Sequence, residues 1–159
     1  MRILLAAALT LFAATTSGCG GGGSGGSAGG SGPGAESLTL SGTIKADSGG
    51  AKGSGTCVWT PAIFGLEYRS SALPTNITVA FKGLVSIGGV GDIDAAAPPA
   101  ADGTTPLVLR AGGRVIKAKQ GTIHVTDAAL SDRTWKGSFD ADFEDGTHLS
   151  GGWTCTAPL

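Results

Sequence analysis

The stretch that decides the fold is residues 134–156, TWKGSFDADFEDGTHLSGGWTCT. Trp135, Phe139 and Phe143 hold odd positions on the way out, and Leu149, Trp153 and Cys155 hold odd positions on the way back. Alternation at period two marks strands with one buried face. Both sets face one core only if the loop between them has an odd number of residues, because a one-residue slip turns every side chain of a strand to its other face. A two-residue loop at Asp145-Gly146 would set Leu149 and Trp153 opposite Asp142 and Ser138. A three-residue loop, Glu144-Asp145-Gly146, with Gly146 in the left-handed conformation of a G1 bulge, restores the match. That register pairs Ala141 with Leu149, Phe139 with Gly151, Gly137 with Trp153 and Trp135 with Cys155, and sets Asp142 beside His148 on the outer face.

Outward from this hairpin the same period recurs. Leu38 and Leu40 open a first strand that extends across Gly42 to Ile44. Cys57 and Trp59 share a face of a second, which Pro61 stops, and residues 63–68 form a short third. Ile77, Val79 and Phe81 alternate with Thr78, Ala80 and Lys82, and Val85 and Ile87 follow. Residues 88–105 are a long Gly/Pro/Ala loop. Strands resume at 107–109, 115–119 and 123–126, with a break near Gln120-Gly121 and at most one helical turn at 128–131. Eight to ten short strands and no sustained helical period predict an all-β fold. The expected form is an antiparallel β-sandwich, with the long loop crossing between sheets; a small up-and-down β-barrel is the alternative.

The N-terminus carries a different signal. Met1-Arg2 precedes an apolar run, ILLAAALTLF at residues 3–12, and small residues lead from Ala13 to Cys19. The run is shorter than the roughly 20 residues a membrane-spanning helix needs, and it fits the apolar part of a signal peptide. Thr16-Ser17-Gly18-Cys19 resembles the lipobox of bacterial lipoproteins, with Thr16 where that family usually has Leu. The resemblance implies removal of residues 1–18 and lipidation of Cys19, with acyl chains such as palmitate holding the protein to the cell envelope. Gly20 rather than Asp after the cysteine implies the outer membrane. Residues 20–34 are almost wholly Gly and Ser, so 19–35 is expected to be a disordered tether reaching on the order of 20 Å. Residues 36–159 are then a single β-domain.

Lipidation of Cys19 leaves two of the three cysteines, Cys57 and Cys155. In an exported chain these are expected to form one disulfide. Loss of Arg2 leaves ten basic against twelve acidic residues. That nearly neutral balance argues against nucleic acid as a partner. The domain is expected to be a monomer without a cofactor.

The chemistry-bearing residues are few. Asp140, Asp142, Glu144 and Asp145 form an acidic stripe on the outer face of the last hairpin, read as a solvated strand face that discourages edge pairing. Calcium, which takes six to eight oxygens, is the competing reading there and at Asp92, Asp94 and Asp102. His124 and His148 point outward from strands, and no Gly-x-Ser-x-Gly elbow accompanies them, so no catalytic residue is assigned. Trp59, Phe64 and Tyr68 are the candidate sugar-stacking aromatics, with burial in the core as the competing reading. Arg110, Arg114, Lys117 and Lys119 make a basic region on neighbouring strands, read as a solvated face or as a site for an anionic glycan or lipid headgroup. The expected function is that of a lipid-anchored, non-catalytic binding or structural module for a glycan or a protein. Enzyme inhibition through the loop at 88–105 is the alternative, and hydrolysis a third.

Overall fold

The computed structural model describes residues 35–49, 53–86, 88–98 and 106–158. The expected signal peptide, Cys19 and nearly all of the tether lie outside them. The described residues form ten strands: β1 (Ser37–Ser41), β2 (Ala46–Asp47), β3 (Gly55–Thr60), β4 (Gly65–Arg69), β5 (Ile77–Leu84), β6 (Gly91–Asp94), β7 (Leu107–Ala111), β8 (Arg114–Ala129), β9 (Thr134–Phe143) and β10 (His148–Thr156). The hairpin of β9 and β10 has the register read from the sequence. Ala141 pairs with Leu149, Phe139 with Gly151, Gly137 with Trp153, Trp135 with Cys155 and Asp142 with His148. Gly146 sits at φ 82°, and its N–H donates to the Phe143 carbonyl oxygen at 3.1 Å.

Seven strands close into a ring in the order β3-β4-β5-β7-β8-β9-β10. Every contact along that path is antiparallel, so the first and last of the seven run the same way. Closure therefore has to be parallel, and it is: Cys155 lies beside Gly55 and Thr156 beside Thr56. This seam has only those two residue pairs, and the Cys57–Cys155 disulfide crosses it with a Cα–Cα distance of 5.7 Å. The remaining strands flank the ring: β1 pairs with the first half of β10, β2 with β1, and β6 with the second half of β8. The fold is all-β, as the alternation requires. The two-sheet sandwich is not what the pairing shows; the barrel held as the alternative is.

The reason lies in β8. It runs unbroken through the expected gap at Gln120-Gly121 and through the expected helical turn, reaching Ala129. Two register shifts leave Lys119 and Thr126 without cross-strand partners on β9. Each extra residue turns the strand over. The buried positions are accordingly Ile116 and Ala118, then Ile123 and Val125 after the first bulge. The change of parity reads in the sequence as a break. In space it is a bend that carries one strand from β7 to β6 and the sheet round on itself. The expected loop at 88–105 likewise contains a strand, β6.

The ring is filled. Tyr68, Phe81, Phe139 and Trp153 stack and tilt against one another with centroids 5.1–5.9 Å apart, all of them buried. Each such pair contributes about 0.5–1.5 kcal/mol beyond the burial of its area. One acidic residue joins this core. Glu36, just ahead of β1, is 1% exposed. Its carboxyl group accepts the Tyr68 hydroxyl and the backbone N–H groups of Ser71 and Ala72, at 3.1 and 2.9 Å. A buried acid with three donors is satisfied where an unpaired one would cost several kcal/mol. Burial first, then the Glu36 charge and their hydrogen bond, push the Tyr68 hydroxyl far above the ordinary tyrosine range.

Two outcomes are expected. Replacing both Cys57 and Cys155 by Ser releases a 98-residue separation, and denaturant melts should show a loss of about 4–5 kcal/mol. Amide exchange should accelerate first at Gly55–Thr60 and at the end of β10; uniform acceleration around the ring would contradict a weak seam. Tyr68 is the only tyrosine, so phenolate absorbance reads it alone. A raised folded pKa contributes stability that is fully present below the unfolded value of about 10 and is lost as pH rises past it. The folded chain should show no phenolate where the urea-unfolded chain already titrates.

Candidate functional site

With the interior packed, the chemistry lies on the outside, where the topology sorts the charges onto two faces. On strands β6, β8, β9 and β10 the outward side chains include most of the acids, several hydroxyls and both histidines, with Lys136 ion-paired to Asp127 at 3.4 Å. The Nδ1 atom of His124 lies 2.8 Å from Asp92 Oδ1, and that of His148 lies 2.8 Å from Asp142 Oδ1. Gln120 donates its amide to Asp142 Oδ2 at 2.6 Å. His148 Nε2 is also 4.0 Å from Asp140. The His148 and Gln120 hydrogen bonds hold the exposed Asp142 carboxyl below the usual aspartate range.

This face tests the acidic candidates. Asp92 and Asp94 alternate on β6, facing His124 and Thr122 across the strands. Asp92 is engaged by His124, and Asp94 Oδ1 accepts the Ala96 N–H at 2.9 Å. Asp102 lies outside the described residues. Asp140 and Asp142 belong to the stripe expected on β9, whereas Glu144 sits in the hairpin turn with its N–H on the Lys117 carbonyl oxygen. Among the described residues no three His, Cys, Asp or Glu side chains gather to hold a metal ion.

The cross-strand rows Asp92–His124–Ser138 and Asp142–His148–Ser41 resemble nucleophilic arrangements in residue type. Activation needs the serine hydroxyl within hydrogen-bond reach of the imidazole. Among the described residues neither histidine hydrogen-bonds a serine, and each occupies an exposed strand face.

The second face is made by β3, β4, β5, β7 and the first half of β8. Here the outward residues form an open hollow of about 940 Å³, closed at one side by Thr156, Ala157 and Pro158. One row of register partners runs across it: Thr56, Arg69, Ala80, Val108 and Lys117. Arg110 stands beside this row, paired with Val115. Lys82 and Glu67 form an ion pair at 3.0 Å on its other side. Val58 and Val115, each more than half exposed, extend the apolar part of the surface.

The expected basic region is thus assembled in part and enlarged. Arg110, Arg114 and Lys117 lie on the β7–β8 hairpin. Lys119, expected with them, is the bulged residue and instead contributes to the field at Asp142. Arg69 and Lys82 join from β4 and β5. Their outward parity was visible beside Leu66, Tyr68 and Phe81, but nothing local said that β4 and β5 neighbour β7.

Of the candidate aromatics, Tyr68 is buried against Glu36 and cannot present its ring. Trp59 is half-buried between Phe64 and Trp135, at 6.5 and 5.2 Å. Phe64 is exposed, at φ 50°, after the short 3-10 turn Pro61–Ile63. With Ile63 and Leu84 it makes an apolar tip at one end of β4. Glu36 is bound beyond the other end of that strand.

The chain matches no protein-family model, no curated protein and no solved structure. A carboxylate held at a depressed pKa contributes stability present above the unfolded value, about 3.9, and lost as pH falls through the folded one. In a carboxyl-detected NMR titration, His148→Ala should move the Asp142 midpoint upward. An unmoved Asp142 would show that the pair does not form in solution.

Proposed function

We propose that the chain is a lipid-anchored envelope protein whose barrel is a non-catalytic binding module, with its binding surface on the outer hollow of β3, β4, β5, β7 and β8. One observation carries the binding part of this reading. The lumen, where small barrels otherwise hold ligands, is occupied by Tyr68, Phe81, Phe139 and Trp153, while a hollow of about 940 Å³ lies outside. The anchor part is supported by the lipobox resemblance of Thr16-Ser17-Gly18-Cys19 and the glycine-rich stretch after it, and Gly20 after the cysteine favours the outer membrane in a Gram-negative cell. Acyl chains contribute about 0.8 kcal/mol per buried CH₂, enough together to hold a soluble domain. No helix among the described residues is long and apolar enough to cross a membrane.

A second reading, inhibition of an enzyme by protein contact, is favoured by one feature. Ile63, Phe64 and Leu84 are exposed together at the end of β4 away from Glu36, and the tether enters just before Glu36. An anchored domain would carry that apolar tip outward.

The test has two arms. In a Gram-negative host the wild-type chain should take up labelled palmitate and fractionate with membranes, and Cys19→Ser should lose both; continued labelling would refute the anchor. The soluble Cys19→Ser chain should bind washed cell-envelope material saturably, and adding Ala80→Trp, which sets a bulky ring on the floor of the hollow, should abolish that binding. Unaltered binding by the Ala80→Trp chain would move the site elsewhere.

A further inference from the structure

The pairing of charges within the hollow narrows the ligand. Lys82 is answered by Glu67. Arg69, Arg110 and Lys117 have no ion-pair partner among the described residues, although the chain carries more acids than bases. The acids that would neutralise them are on the opposite set of strands, around Asp92, Asp140 and Asp142. The three cations surround a floor of small side chains, Ala80 and Val108, on which a ligand can approach the sheet closely.

We infer that this hollow binds an anionic polysaccharide, its acidic groups on Arg69, Arg110 and Lys117 and its sugar rings on Ala80 and Val108; the inference rests on the binding surface proposed above. Three features select this class. Arg69 and Lys117 stand in one row across four strands, so their Cα atoms are separated by three strand spacings, about 14 Å. That spread suits a chain with repeated acidic groups better than one small anion. Arginine forks onto carboxylate, phosphate or sulfate oxygens with two parallel hydrogen bonds, while the methyl groups between them meet the apolar faces of sugar rings.

An acidic peptide is less well served. Strands β4, β5 and β7 are paired on both sides, so an extended backbone could join only the short edge of β3 beyond Thr56, at the rim of the hollow and away from Arg110 and Lys117. A planar layer of lipid headgroups would leave a concave surface of this volume unfilled.

The experiment uses the soluble Cys19→Ser chain and measures binding to alginate, a polyuronate, and to dextran sulfate. Neutral dextran, poly-L-glutamate and phosphatidylglycerol vesicles serve as comparisons. Binding to one or both anionic polysaccharides and not to neutral dextran is expected, the stronger of the two identifying carboxylate or sulfate as the recognised group. Arg69→Gln and Arg110→Gln should each weaken it about tenfold, as expected for loss of one charge-assisted contact. Lys45→Gln, exposed and outside the hollow, should leave binding unchanged. All three variants change exposed side chains, and unchanged melting confirms their folding. The inference is overturned if neither anionic polysaccharide binds, if both Arg variants bind within about twofold of the parent, or if poly-L-glutamate or the vesicles bind as tightly. Ala80→Trp-sensitive binding to envelope material without polysaccharide binding would reject this ligand class and leave the surface itself standing.

Discussion

Closing an odd number of alternating strands forces one parallel seam, and the rest of this protein is arranged around that seam. Six of the seven contacts in the ring are antiparallel and most are long; the seventh joins β10 to β3 through two residue pairs. So short a ladder contributes few backbone hydrogen bonds. The disulfide from Cys57 to Cys155 lies at this joint, where a covalent link replaces the pairing that the strand directions do not supply. Glu36 reinforces the same region: it holds Tyr68 and the backbone of Ser71 and Ala72, while a Cβ at Gly55 would collide with both the Tyr68 ring and the Glu36 carboxyl.

Closure also decides which surfaces stay open. Four aromatic side chains fill the ring, so the open hollow lies on its outer surface. The bend in β8 then divides that surface. Its first half runs beside β7 and presents Lys117 with Arg110, and its second half runs beside β6 and presents His124 with Asp92. One strand thereby holds a basic hollow and an acidic, histidine-bearing face apart. The charge balance of the whole chain, close to neutral, conceals both.

Legibility in the sequence followed the range of the interactions. The β9–β10 hairpin was readable to the residue because parity, loop length and Gly146 act within 23 residues and all demand one register. The Asp142–His148 pair came with it. The disulfide was readable by counting, because taking Cys19 as a lipidation site leaves Cys57 and Cys155 as a pair. The continuity of β8 was not: two bulges invert its parity, and an inverted parity looks the same as a chain break when the partner strand is unknown. Glu36 was equally hidden. A lone glutamate before a strand carries no sign that a tyrosine 32 residues later will take it into the core.

The sequence by itself determined that this chain is all-β, that its last hairpin has one register, and that Cys57 and Cys155 are available to pair. These follow from side-chain period and from the chemistry of single residues, which need no knowledge of distant neighbours. Only the tertiary structure decided that the strands close into a barrel rather than stack as a sandwich, that Tyr68 is buried rather than displayed, and that Arg69 from β4 meets Arg110 and Lys117 across β5. Those outcomes depend on which strands become neighbours. That choice is made by the bends at Lys119 and Thr126 and by the parallel seam they permit, neither of which a local pattern can express.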